Sequence, residues 1–102
     1  MDSNAQQVIA DLRELAALTS TPEGAQRVAW GPVWREAREW FAGKVRSLGL
    51  DVRTDSAGNR WVFLEGASDE TVLVGGHLDS VPNGGWLDGA LGMMAGLGAL
   101  RA

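Results

Sequence analysis

The sequence predicts an α/β fold in the order helix, helix, three strands, helix. Apolar residues recur at helical spacing in the first half, three short strand-like runs bounded by turn residues follow, and a Gly-rich loop leads into a final apolar, small-residue segment. The chain has 102 residues, enough for one core, and its 45% hydrophobic and 22% charged content is that of a globular domain.

In the first predicted helix, residues 4 to 18, Ser3 and Gln6 have the spacing of a capping box, and Val8, Ile9, Leu12 and Leu15 share a face. Thr21 and Pro22 are expected to start a short helical turn. Pro32 opens a longer helix in which Val33, Ala37, Trp40, Phe41, Val45 and Leu48 fall at helical spacing. Gly49 is placed to close it in a left-handed conformation. Trp30, Trp34 and Trp40 are read as core packing.

Strands are expected at Leu50 to Thr54, Arg60 to Glu65 and Thr71 to Gly75, with the turn residues Asp55 to Asn59 between the first two. Trp61 to Leu64 and Val72 to Val74 are apolar without alternation, which suits strands covered on both faces. The third strand leads into Gly75, Gly76 and His77, beyond the carboxyl end where ligands collect in open α/β sheets. Residues 88 to 102 read as a helix capped by Asp88. Leu91, Met93, Met94, Leu97 and Leu100 point in nearly every direction around it, so it requires cover on most sides.

Charge narrows the function. The net charge is −4, and no Lys or Arg lies between Arg60 and Arg101, where Glu65, Asp69, Glu70, Asp79 and Asp88 fall. That half suits a cation and argues against nucleic acid as a partner. Without cysteine there is no disulfide framework, thiol nucleophile or Cys-ligated zinc. The polar start, Met1 to Gln7, lacks the form of a secretory signal, and the longest apolar stretch is short of the roughly 20 residues of a membrane span. A cytoplasmic protein with no membrane partner is expected.

The residues that carry chemistry are His77, Asp79 and Asp88. A lone histidine is more often structural than a ligand, but residues two apart in an extended segment project to one side, which stands Asp79 beside His77. A carboxylate there takes the proton of one ring nitrogen and leaves the other nitrogen's lone pair for a metal. The loop from Ser80 to Leu87, with Pro82, Asn83, Gly84 and Gly85, can return Asp88 to the same place, as helix cap and ligand at once. Two ligands and an orienting carboxylate make half of a metal site. A nucleotide-binding βα unit is disfavoured, since the loop lacks both GxGxxG and the P-loop lysine.

The run GGHLDSVPNGGWLDGALG, Gly75 to Gly92, resembles the metal-binding segment of the hydantoinase/carbamoylase family of amidases, which includes N-carbamoyl-L-amino-acid hydrolases, allantoate amidohydrolases and β-ureidopropionases. REAREWF (Arg35 to Phe41), LGL (Leu48 to Leu50) and DSAGN (Asp55 to Asn59) extend the likeness over most of the chain. The resemblance implies His77 as a ligand to one metal, Asp79 as its catalytic orienting partner and Asp88 as the bridge between two metals. It implies two divalent cations, of zinc, manganese, cobalt or nickel, and hydrolysis of a C–N bond in a small ureido or carbamoyl substrate. It also implies that residues 1–102 are the N-terminal part of an α/β/α sandwich dimetal-hydrolase catalytic domain. The glutamate pair, the remaining ligands and the lid that mediates homodimerisation would lie outside them. The alternatives are an aminopeptidase or deacylase of the same clan and a non-catalytic interaction module.

Overall fold

A computed structural model describes residues 2–102; Met1, within the expected polar start, lies outside the described residues. The α/β class is borne out: three helices surround a small core, with short strands between them. Helix α1 runs Ser3–Thr19, and its cap is Asp2, whose Oδ1 accepts from the amides of Asn4 and Ala5. The Ser3 capping box is therefore corrected by one residue, because Asp2 holds the extended backbone from which a side chain reaches those amides.

The helical turn expected at Thr21 and Pro22 is instead a tight hairpin, β1 Ser20–Thr21 against β2 Gly24–Ala25. Proline's fixed φ suits the turn between them as well as a first helical turn. Helix α2 spans Pro32–Arg46 with proline in its first turn, and Gly49 at φ +78° closes it, both as expected. Arg53–Thr54 (β3) and Arg60–Trp61 (β4) form a second hairpin. Its turn is held by Asp55 Oδ1, which accepts from the amides of Ala57 and Asn59. Helix α3 covers Ala90–Arg101.

The core is Leu12, Leu15, Ala37, Val45, Leu78, Ala90, Met94 and Leu97, drawn from all three helices and from the HLD segment. Burial of each large aliphatic there contributes about 1.5–3 kcal/mol. Helix α3 buries one face, Ala90, Met94, Leu97 and Gly98, and leaves Leu91 exposed, so among the described residues it lacks the cover on most sides that its composition requires, as the other two helices and the short strands offer too little material for it. Trp30 is corrected too: it is 65% exposed, edge-on to Trp34 at 4.9 Å, with the Arg38 guanidinium 4.5 Å from the Trp34 ring. Only Trp40 of the three packs against the core.

The first two strands are shorter than expected, and residues 71–75 form no strand. A strand exists through a neighbour that takes its N–H and C=O groups, and none pairs with residues 71–75 among the described residues. Val72, Leu73 and Val74 are 89, 74 and 62% exposed, the reverse of the two-sided cover their composition suggests. Apolar side chains beside unpaired backbone make an adhesive edge. At micromolar concentration the chain is expected to sediment as larger species, and Val72→Lys with Val74→Lys to shift it toward monomer. A monodisperse native monomer would contradict this.

Candidate metal centre

The HLD segment is set by alternation. Leu78 points into the core at 7% exposure, so its neighbours His77 and Asp79 both face outward, with side chains 52 and 44% exposed. The imidazole Nδ1 lies 2.9 Å from Asp79 Oδ1 and 3.0 Å from the Asp79 carbonyl oxygen. Both of these are acceptors, so Nδ1 is a nitrogen that carries a proton, and in the neutral tautomer with that proton Nε2 keeps its bare lone pair.

The following loop is pinned by a short stretch of chain, residues 25–27, that no sequence pattern marks. Ala25 and Gly84 exchange two backbone hydrogen bonds of 2.9 Å, and the Ser80 amide donates to the Arg27 carbonyl at 2.8 Å. Gln26 and Asn83 clasp across the same gap: Gln26 Nε2 donates to Asn83 Oδ1 at 2.7 Å, and the Asn83 amide donates to Gln26 Oε1 at 3.1 Å. Asn83 turns the chain with φ +56°, a left-handed conformation asparagine tolerates.

The loop returns so that Gly89, next to Asp88, lies directly against the ring and carbonyl oxygen of His77. A Cβ at residue 89 would overlap His77 Cε1, Nδ1 and O, and its φ is +71°. Only glycine satisfies both conditions. A second close approach seats α3 on the strand-like segment, since a Cβ at Gly76 would stand 2.9 Å from the Gly89 carbonyl oxygen and one at Gly92 3.1 Å from that of Gly75.

Asp88 does not cap α3, which corrects the dual role expected of it. Gly89 occupies the cap position without a side-chain bond, and the Leu91 amide donates to the Leu87 carbonyl at 3.0 Å. The left-handed step at Gly89 starts the helix one residue later than expected. The exposed Asp88 carboxylate makes no hydrogen bond among the described residues. His77 and Asp79 are brought into contact; no group of three or more His, Cys, Asp or Glu side chains gathers as a metal cage among the described residues. The donor chemistry nonetheless fits half of a divalent-cation site, with a free imidazole nitrogen, a carboxylate behind it and an unengaged carboxylate on the returning loop.

Arg27 packs beneath the same segment and carries no sequence signal. It is fully buried, and its Nε donates to the Leu78 carbonyl at 2.6 Å, its Nη1 to Thr19 Oγ1 at 3.0 Å. Its amide donates to Ser80 Oγ at 2.9 Å. Burial draws the guanidinium below its ordinary value, and the Asp79 charge acts in the opposite sense. No periodicity marks residue 27 in the sequence, so only the folded chain reveals it.

Comparison with known proteins agrees with this architecture. An N-carbamoyl-L-amino acid amidohydrolase of Geobacillus stearothermophilus is 42% identical over 89 residues, covering 84% of this chain and 22% of its own. One from Paenarthrobacter aurescens is 34% identical over 97% of this chain and 24% of its own. The allantoate amidohydrolase of Escherichia coli K12 is 37% identical over 79% of this chain and 20% of its own. A crystal structure of a hydantoinase/carbamoylase family amidase from Burkholderia ambifaria superposes with a TM-score of 0.88 at 35% identity, covering 97% of this chain and 25% of that one. No family model matches. The chain thus spans about a quarter or less of the length of these relatives.

The class follows from sequence and fold together: the relatives are amidohydrolases, and this chain carries a segment of their architecture. In particular, it belongs to the hydantoinase/carbamoylase family of amidases.

Proposed function

We propose that the protein to which this segment's architecture belongs hydrolyses a C–N bond of a ureido or carbamoyl substrate, of the N-carbamoyl amino acid or allantoate type, with two divalent cations. The observation that carries the reading is the Nδ1 contact of His77 with Asp79, which supports a tautomer whose Nε2 is free to hold a metal. His77 Nε2 would hold one cation, Asp79 would orient the imidazole, and Asp88 would bridge the pair. Zinc, manganese, cobalt and nickel all suit imidazole with carboxylate. When bound, such cations polarise a carbonyl and activate water.

This chain's own part in the chemistry is positional. Asp79 and the carbonyl oxygen beside it keep the Nδ1 proton in place, and the loop pinned by residues 25–27 returns Gly89, the residue after Asp88, to the histidine. Residues 1–102 form one partial catalytic domain, with the general base, the other ligands and the homodimerising lid supplied from elsewhere. The substrate is a small molecule, and the compartment is the cytoplasm. No helix of the described residues is long and apolar enough to cross a membrane.

Titrating the chain with Mn²⁺ or Zn²⁺ tests the half-site. Two ligands predict weak binding, abolished by His77→Ala and weakened about 10- to 100-fold by Asp79→Ala. Tight stoichiometric binding would show a self-contained site, whereas affinity indifferent to both substitutions would remove His77 and Asp79 from it. A dimetal aminopeptidase or deacylase would share these residues and differ in substrate.

A further inference from the structure

Among the described residues, Arg27 is the largest side chain that is fully enclosed. Burying a guanidinium costs several kcal/mol unless a counter-charge and hydrogen bonds offset it. Yet no carboxylate bonds to it among the described residues, and its Nη2 has no partner. Its acceptors are the Leu78 carbonyl and the Thr19 hydroxyl, and its backbone exchanges bonds with Ser80. Arg27 therefore grips the residue on each side of Asp79 while touching neither Asp79 nor His77 by a hydrogen bond. A neutral amide could satisfy the Leu78 carbonyl equally well. What the guanidinium adds is reach to two acceptors at once and a positive charge near enough to interact with the Asp79 carboxylate.

We propose that Arg27 is a positioning residue for the His77–Asp79 pair: its guanidinium, tying the Leu78 carbonyl to Thr19 beside the backbone bonds of residue 27 to Ser80, fixes the aim of the Asp79 carboxylate at Nδ1, and so the tautomer that leaves Nε2 bare. The consequence for metal binding rests on the function proposed above. The tautomer exists without metal and can be read separately.

His77 is the only histidine in the chain, so ¹⁵N-histidine labelling places the imidazole signals at one site. Magic-angle-spinning NMR of the metal-free 102-residue chain at about pH 8.5, where an ordinary imidazole is neutral, reads its tautomer whether or not the chain has associated. The native chain is expected to show a protonated Nδ1 and a bare Nε2. Arg27→Met is expected to give mixed tautomers with its helical circular dichroism retained. Arg27→Lys, which keeps the charge but replaces the planar fork spanning the Leu78 carbonyl and the Thr19 hydroxyl by a single ammonium, should also mix them, and it is the variant to read if Arg27→Met does not fold. Affinity for Mn²⁺ alone should fall about tenfold or more in either variant, as for loss of another group that orients a ligand.

A folded Arg27 variant that keeps the native tautomer would reduce the residue to a structural role and overturn the proposal. If the native chain binds no metal but the tautomer still depends on Arg27, the proposal stands and the metal reading falls. If metal binds and the tautomer ignores Arg27, the reverse holds.

Discussion

Gly89→Ala is expected to destabilise the chain by about 2–6 kcal/mol and to dislodge His77. Two costs add. An alanine at φ +71° occupies a conformation that costs about 1–3 kcal/mol for an L residue, and the new Cβ overlaps the His77 ring and its carbonyl oxygen. Overpacking of this kind typically costs a further 1–3 kcal/mol. Backbone crowds the site from the other side as well, since the Gly89 carbonyl lies close over Gly76, so residue 89 has little room to retreat. A drop in the urea midpoint and a changed ¹⁵N signature of His77 would be read together. Native stability with an undisturbed imidazole would show that the approach of the two segments is looser than the structure has it. The aspartate-glycine pair is thus constrained at its second residue by packing, whatever the carboxylate before it binds.

Asp11→Ala is expected to cost about 3 kcal/mol, the low end for breaking a buried ion pair. The Asp11 side chain is 0% exposed, and it ties three helices together: Gln7 Nε2 of α1 donates to it at 3.0 Å, Lys44 of α2 lies at 3.3 Å and Arg101 of α3 donates at 2.7 Å. Lys44 and Arg101 keep 23 and 17% of their side-chain surface exposed, so both can recover some hydration, which holds the cost down. Burial by itself would raise the Asp11 pKa, but the hydrogen bonds from Arg101, Gln7 and Lys44 outweigh it and hold the carboxyl below its ordinary value.

The sign for pH follows from that. A folded value below the unfolded one, about 3.9, means the stabilisation is complete at neutral pH and is lost as the pH falls through the folded value. Asp11→Asn should therefore lower stability at pH 7 while flattening the acid limb of the stability profile. Glu14 and Asp55, also held below their ordinary values by their hydrogen bonds, keep part of that limb in place. An unchanged profile in urea titrations from about pH 2 to 7 would exclude Asp11 as a determinant of acid stability.

Asp11 also marks how much could be read in advance. It lies three residues after Val8, one before Leu12 and four before Leu15, on the face that periodicity assigns to the core. A charge at such a position announces a buried partner but cannot name one, because Arg101 is 90 residues away. The helices were legible for the complementary reason: their signals, Pro32 at a start, Gly49 at an end and apolar residues at helical spacing, act within a turn or two of chain. The strands were not, because a run such as Val72 to Val74 has the composition of a strand but becomes one only when a neighbour supplies hydrogen bonds.

The same division runs through the candidate site. Sequence by itself determined that His77 and Asp79 share a face, since side chains alternate along extended backbone and Leu78 is the apolar residue between them. It also determined the family, because the run from Gly75 to Gly92 is specific. Tertiary structure alone decided that Gly89 rather than Asp88 begins the last helix, that residues 25–27 pin the returning loop, and that a buried Arg27 grips both neighbours of Asp79. Each of these depends on contacts between residues far apart in the chain, whose geometry no local spacing specifies.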